Sequence, residues 1–143
     1  MSDLIGMLPP GYAPDSCRGT SRLVSTALVG LDCDEVSGIV PGGKYELFPS
    51  LDVLNHQYDI DFHGGFFKAL VCPGAPGIGP GSITGGSGWT GKLSCGYVGK
   101  FTNTTTDAFA VMWTNESRLF WGRVTGPNLI ALVDWFNQVV GPS

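Results

Sequence analysis

Positive charge is scarce in this chain of 143 residues. It has 8 Lys and Arg residues against 12 Asp and Glu, which gives a formal net charge of −4 at pH 7. Arg18 and Arg22 are the only near neighbours of positive sign. A surface that binds nucleic acid needs clustered Lys and Arg to neutralise phosphates, so the composition argues against nucleic acid as a partner.

Long apolar segments are absent as well. The longest nearly apolar stretch, Leu23 to Leu31, is interrupted by Ser25 and Thr26. It is far shorter than the roughly 20 residues that span a bilayer as a helix. The Met-Ser-Asp start lacks the basic region and the apolar region of a secretory leader. We therefore expect membrane contact only through an anchor that lies outside this chain.

Short catalytic motifs are also missing. There is no G-x-S-x-G nucleophile turn and no G-K-S or G-K-T sequence. The glycine-rich segment from Pro73 to Gly91 leads into a predicted strand, whereas a phosphate loop leads into a helix N-terminus. Ser94, between Leu93 and Cys95, is predicted to lie inside that strand. These absences favour a protein that is not an enzyme.

The two histidines, His56 and His63, are the candidate metal ligands. On a helix they share a face with Asp59, and two imidazoles and a carboxylate are a metal-binding set. A solvated helix face gives the same pattern, because the helix dipole favours a cation near the C-terminus. Since no third histidine is present, we expect no metal and no cofactor. A small secreted hydrolase using His56 or His63 is the alternative.

Four cysteines, Cys17, Cys33, Cys72 and Cys95, are the strongest signal in the chain. None forms a C-x-x-C, so the usual zinc and redox spacings are absent. An even number of cysteines predicts two disulfides and an oxidising, extracytoplasmic compartment. Of the three possible pairings we favour Cys17–Cys33 and Cys72–Cys95, because each closes a short loop that turn residues already bend.

Periodicity and turn residues predict a single domain over residues 1–143 of the α+β class. Its core is one antiparallel sheet of about five or six strands packed against two or three helices. Predicted helices run over Asp3–Leu8, over Leu51–Phe62 with Ser50 as N-cap, and from Asn128 to Gly141-Pro142. Predicted strands are Arg22–Cys33, Lys44–Phe48, Phe66–Val71, Lys92–Val98, Ala108–Trp113 and Arg118–Val124.

The segment from Cys72 to Gly91 has no periodicity and is predicted to be a loop closed by the second disulfide. Loops of this length are usually functional or disordered, so we expect it to meet a ligand or partner. Strand alternation places Trp113 and Trp121 in the neighbouring hairpin, where they belong to the core unless one face is open. The candidate binding surface therefore comprises Ile78, Ile83, Trp89, Trp113 and Trp121.

Six sequence segments carry a resemblance to a known group of proteins: LPPGYAPDSC, LDC, YELFPSLDVLN, CPG, WTGKLSCG and VMWTNESRLFWGRV. Together with the terminal amphipathic helix, they resemble actinobacterial, mainly mycobacterial, extracytoplasmic domains of membrane proteins. Such domains include the sensor end of some receptor-like serine/threonine kinases. The glycine-rich insert from Gly74 to Gly88 departs from that pattern.

The resemblance implies two disulfides and a non-catalytic role in sensing or interaction, and it offers no catalytic residues. We expect a non-enzymatic, extracytoplasmic sensor or binding domain of a cell-envelope protein. Its partner is expected to be a small ligand or an envelope protein. A structural protein of envelope assembly, whose aromatic hairpin face mediates contacts, is a further alternative.

Overall fold

A computed structural model describes residues 2–20, 26–65, 67–85, 88–100 and 107–140. Three of the predicted elements include residues outside these ranges. The first part of the predicted strand Arg22–Cys33, the start of the predicted strand at Phe66 and the helix stop at Gly141-Pro142 lie outside the described residues.

The described chain has the predicted α+β class, with antiparallel strand pairing throughout. In chain order its elements are α1 (Ser2–Ile5), β1 (Cys17–Gly19), β2 (Val29–Cys33), β3 (Gly42–Leu47), α2 (Leu51–His63), β4 (Lys68–Leu70), β5 (Gly81–Thr84), β6 (Thr90–Lys100), β7 (Asp107–Asn115), β8 (Phe120–Gly126) and α3 (Leu129–Val139). The sheet in this part of the chain has eight strands, so the predicted number of five or six is wrong.

The two strands that the sequence analysis missed, β1 and β5, are short. β5 lies inside the glycine-rich segment, and β6 begins at Thr90, so the prediction of a loop from Cys72 to Gly91 is wrong over those residues. A Gly-Ser-Ile-Thr segment carries no clear side-chain alternation to detect. It forms a strand because its backbone pairs with β6 from Gly81 opposite Leu93 to Thr84 opposite Thr90.

The strand order is β1-β2-β3-β8-β7-β6-β4, and β5 pairs with β6 as well. β4 and β5 lie end to end along one edge of β6, because β4 pairs with its second half and β5 with its first half. The centre of the sheet is the predicted hairpin of β7 and β8. Its two strands are covered by β3 on one side and by β6 on the other.

Both faces of the sheet are buried, each under a helix. On one face a cluster that includes Leu4 of α1 and Leu132, Val133 and Phe136 of α3 covers the sheet residues Tyr45, Val111, Trp113, Phe120 and Val124. On the other face, Leu54 and Tyr58 of α2 cover Phe48, Ala110, Met112 and Trp121. Successive side chains of a strand point to opposite faces, so β7 supplies both clusters.

The two long helices begin close to where the sequence predicts, each after a side chain that caps its first turn. The Ser50 hydroxyl accepts a hydrogen bond from the Val53 backbone N–H at 3.2 Å and opens α2, as predicted. The Asn128 side-chain oxygen accepts one from the Ala131 N–H at 3.0 Å and opens α3. Each cap satisfies a backbone donor that the first helical turn leaves unpaired.

The favoured disulfide pairing is confirmed. Cys17 joins Cys33 with an S–S distance of 2.05 Å, and Cys72 joins Cys95 with one of 2.09 Å. The first bond links register partners on β1 and β2, and the second ties the chain after β4 to β6. Two disulfides are typical of an oxidising compartment. Within the described ranges, no helix has the length and apolar character that crossing a bilayer requires.

The glycine-rich segment has a structural role besides any binding role. β4 and β5 together cover the outer edge of β6, and the Cys72–Cys95 disulfide lies between them. An uncovered edge of a strand as long as β6 is a site for unwanted pairing. Glycine and serine can supply this cover with their backbones alone. A loop expected to be free for recognition is therefore partly committed to the sheet.

Removing either disulfide should destabilise the fold. The linked residues are 16 and 23 positions apart, and the loop-entropy model assigns about 3 kcal/mol to a loop of this size. The variants are Cys17→Ser/Cys33→Ser and Cys72→Ser/Cys95→Ser, measured by urea unfolding without reductant. Peptide mapping of the non-reduced parent should show the same two pairs. An unchanged unfolding free energy in either double variant would contradict the expectation.

The central strands pack too closely for a side chain at Gly91. A Cβ at this position would collide with the Thr114 backbone carbonyl of β7, and Thr114 is fully buried. The Thr114 hydroxyl is also fixed, because it accepts a hydrogen bond from the Lys92 N–H at 2.9 Å.

Gly91→Ala should therefore lower the free energy of unfolding by about 2 kcal/mol, as expected for overpacking. Gly65→Ala is the matched control, since nothing lies within 4 Å of its added Cβ. Urea unfolding of the two variants measures the difference. Equal stability of the two would show that β6 and β7 tolerate separation at this point.

Candidate ligand-binding site

Trp113 and Trp121, predicted to be binding residues if one hairpin face were open, lie in the two cores. Their relative exposures are 1% and 2%, and they face opposite sides of the sheet. α3 packs over Trp113, and α2 packs over Trp121. Because both faces of the hairpin are covered, neither tryptophan contributes to an open apolar face.

The other predicted binding residues fall in two separate places. Ile78, which is 61% exposed, and Ile83 line a cavity of about 470 Å³ in the glycine-rich segment. Half-buried Trp89 lines a different cavity of about 300 Å³, whose lining also includes Trp113. Trp121 lines neither of these. Binding at the glycine-rich segment stays a prediction.

Neither histidine is placed next to a nucleophile. His56 and His63 are exposed on α2, and the His63 ring contacts the edge of Phe62. Over the described ranges, no group of three or more His, Cys, Asp or Glu residues is arranged to hold a metal ion. Ser94 is fully buried, and its hydroxyl hydrogen-bonds to Tyr58 on the opposite core face from Trp113.

A site that the sequence analysis did not propose lies at one end of the sheet. There β2 ends, β3 begins and β8 ends, and the three strands surround a cavity of about 490 Å³. We call it the cationic cavity, for the two residues described next. It is lined by Cys33, Asp34, Glu35, Gly42, Gly43, Lys44, Arg123, Thr125, Gly126 and Pro127.

Two cations lie side by side in this cavity. Lys44 of β3 and Arg123 of β8 are register partners, so their side chains project from the same face of the sheet. Gly42 and Thr125 form the next pair on that face. Gly42 has no side chain, and an added Cβ would meet the Glu35 backbone nitrogen at 3.3 Å and the Cys33 carbonyl oxygen at 3.4 Å. Like charges directly opposite each other on a sheet are destabilising.

Neither cation has an ion-pair partner among the residues that the structure describes. No carboxylate oxygen there lies within 4.0 Å of the Lys44 ammonium or the Arg123 guanidinium. The guanidinium lies 5.7 Å from the centre of the Trp121 ring, and its Nε is buried without a hydrogen-bond partner. An unsatisfied buried donor costs about 1–3 kcal/mol.

Two carboxylates also line the cavity, Asp34 and Glu35. Asp34 is already paired, because Arg18 Nη1 lies 3.0 Å from its Oδ2 on the exposed side of β1. Glu35 is exposed at the rim and lies within the connection from β2 to β3. The charges in the cavity are therefore separated, with the two cations on the strands and the acids on the adjoining connection.

Asp61 of α2 is the carboxylate that faces the two cations from the covering helix. Burial raises its pKa, and this outweighs the hydrogen bond from Gln57 and the attraction of Arg123 and Lys44, which lower it. A close ion pair would depress the pKa of a carboxylate instead. No oxygen of Asp61 lies within 4.0 Å of either cation, so Asp61 forms no ion pair with them, although it attracts both.

A pair of tyrosines fixes the chain beside the cavity. The Tyr12 hydroxyl donates a hydrogen bond to the carbonyl of Pro41, the residue before β3, and lies 2.8 Å from the Tyr45 hydroxyl. Burial raises the pKa of Tyr12 to about 12, although the hydrogen bond with Tyr45 lowers it. The segment before β1 thereby holds the start of β3, where the cavity opens.

Comparison of this chain with protein-family models, with curated proteins and with solved structures gives no match. The resemblance to extracytoplasmic sensor domains consequently stays a prediction. The cationic cavity, by contrast, is defined by the geometry of the chain itself. Its cations were missed because β3 and β8 are far apart in sequence, and only their register makes them neighbours.

The Tyr12 hydroxyl predicts a loss of stability at high pH. Its pKa is about 12 in the folded protein against the ordinary tyrosine value of 10.0, so folding favours the neutral phenol. The stabilisation is complete below the unfolded pKa and is lost as pH rises through the folded one. Urea unfolding should show a falling free energy between pH 10 and pH 12.

Tyr12→Phe should be less stable at neutral pH by about 1 kcal/mol, because its hydrogen bonds are lost. It should also lose less stability at high pH than the parent. Tyr45 and Tyr58, whose pKa values burial also raises, account for the loss that remains. An identical pH profile for parent and variant would exclude Tyr12 as a contributor.

Proposed function

We propose that this chain is a non-enzymatic, extracytoplasmic binding domain whose ligand carries an anionic group, a carboxylate or a phosphate. The observation that carries the proposal is the cross-strand pair Lys44 and Arg123, unpaired by any described carboxylate and open to the cationic cavity. In a chain of net charge −4, two adjacent cations without an ion-pair partner are unexpected unless they serve a ligand.

The chemistry of the two cations suits an anion. Arginine presents a planar fork of donors that matches a carboxylate or phosphate, and lysine adds a compact charge. An anion between them replaces mutual repulsion with two attractions. The Thr125 hydroxyl, on the same face beside Arg123, supplies a further neutral donor. The cavity volume of about 490 Å³ is in the usual range for small-molecule sites.

The location of the domain is supported by its two disulfides, which are typical of secreted and envelope proteins. A role as the sensor part of an envelope protein, held by an anchor outside this chain, follows from the sequence resemblance. The alternative of a hydrolase using His56 or His63 gains no support from the geometry. Both imidazoles are exposed on α2, and neither lines the cationic cavity.

Titration with citrate, inorganic phosphate and acetate tests the proposal. Backbone NMR shifts locate the binding site, and calorimetry measures the affinity. We expect shifts centred on Lys44, Arg123 and Thr125, with affinity that falls as salt rises. Lys44→Gln and Arg123→Gln should each weaken binding about tenfold or more, because each removes a charge-assisted hydrogen bond. Arg123→Gln retains part of the packing on Trp121.

Lys68→Gln is the matched control. It removes the same charge from Lys68, the exposed first residue of β4, which lies four strands away from β3, or about 19 Å. Its affinity should equal that of the parent. If the Lys44→Gln/Arg123→Gln double variant bound all three anions as well as the parent, or if shifts mapped elsewhere, the proposed site would be wrong.

A further inference from the structure

A second cavity adjoins the cationic cavity at the same end of the sheet. Its volume is about 360 Å³, and it lies between the connection from β2 to β3 and the first turns of α3. We call it the apolar groove. Its apolar walls are formed by Val36, Ile39, Val40, Pro41, Leu132 and Trp135.

The two cavities meet where β8 ends and the chain turns into α3. Four residues line both of them: Glu35, Thr125, Gly126 and Pro127. The cations lie on the α2 face of the sheet, whereas Leu132 and Trp135 lie on the α3 face. A ligand that occupies both cavities therefore passes over the end of β8, where the strand no longer blocks the way.

The apolar groove is open to solvent and mainly apolar; its polar side chains are Glu35, Thr125, Asn128 and Trp135, whose buried indole N–H has no hydrogen-bond partner. Ile39 is 59% exposed along its wall. The side-chain oxygen of Asn128 is already engaged as the N-cap of α3, with the Ala131 N–H as its donor. A sugar or a peptide carries more hydroxyl or amide groups than the single unpaired indole N–H of Trp135 can satisfy, and each group left unpaired is costly. An alkyl chain needs no such partner.

Charge fixes the orientation of an occupant. Lys44 and Arg123 attract an anionic head into the cationic cavity, while the Glu35 carboxylate at the junction repels it. The head therefore belongs on the cations, and only an uncharged chain passes the junction. The two adjoining cavities are together complementary to a molecule with one anionic end and one long apolar end.

We propose that the ligand is a free single-chain carboxylate of the fatty-acid type, with its head on Lys44 and Arg123 and its alkyl chain in the apolar groove, a proposal that rests on the proposed function above. Affinity should rise with chain length until the groove is filled. Each methylene removed from water contributes a two- to fourfold gain, taken from about 0.8 kcal/mol for complete burial.

The test compares acetate, octanoate and decanoate, all kept below their micelle concentrations, with octyl glucoside as a neutral head group. Calorimetry gives the affinities, and tryptophan fluorescence reports contact with Trp135, which lines the groove. We expect decanoate to bind at least a hundredfold more tightly than acetate. Octyl glucoside should bind at least tenfold more weakly than octanoate.

Two variants separate the head from the chain. Ile39→Ser should weaken decanoate binding about fivefold and leave acetate unchanged, whereas Lys44→Gln should weaken both. Ile130→Ser is the matched control, because Ile130 is 62% exposed, close to the 59% of Ile39, and lines neither cavity. Its affinities should equal those of the parent.

The outcomes distinguish the two proposals. If acetate binds at Lys44 and decanoate binds no more tightly, the fatty-acid inference is wrong and the anion site stands. If decanoate binds with equal affinity to the parent and to Lys44→Gln, the anion site is wrong, and with it the placement of the head. Binding to phosphatidylglycerol vesicles with no binding of free decanoate would assign the groove to a membrane surface and overturn the inference.

Discussion

The central hairpin has apolar side chains on both of its faces, and this constraint shapes the molecule. In β7 all residues from Ala110 to Thr114 are buried, so the sheet has no face left for solvent at its centre. The apolar surface on both sides has to be covered, because each Å² that is removed from water stabilises the fold by about 25 cal/mol. α3 provides the cover on one side, where Phe136 lies 5.2 Å from the ring of Trp113, and α2 provides it on the other.

The helix that covers one face, α2, leaves a cavity at one end of the sheet. α2 has 13 residues, about 20 Å in length, and its sheet contacts are mainly with β4 and β8. None of its residues lines the cavity at the ends of β2, β3 and β8 that holds Lys44 and Arg123. The ligand site that we propose thus lies where the cover of the core stops. Two charged residues are tolerated there because part of each side chain still reaches water.

Local sequence pattern by itself determined much of this protein. The even number of cysteines, the capping residues Ser50 and Asn128 and the alternation along the hairpin each act within a short stretch of chain. These local patterns were sufficient to predict the α+β class, both disulfides and the two long helices. β5 was missed because its identity as a strand comes from pairing with β6, not from its own side chains.

Only the tertiary structure decided where a ligand fits. Trp113 and Trp121 became core because two helices, distant in sequence, cover opposite faces of the hairpin. Lys44 and Arg123 became neighbours because β3 and β8 pair in one register, and that register is set by the packing of the whole core. No periodicity within either strand contains this information, since the partner of a strand residue depends on side chains elsewhere in the chain.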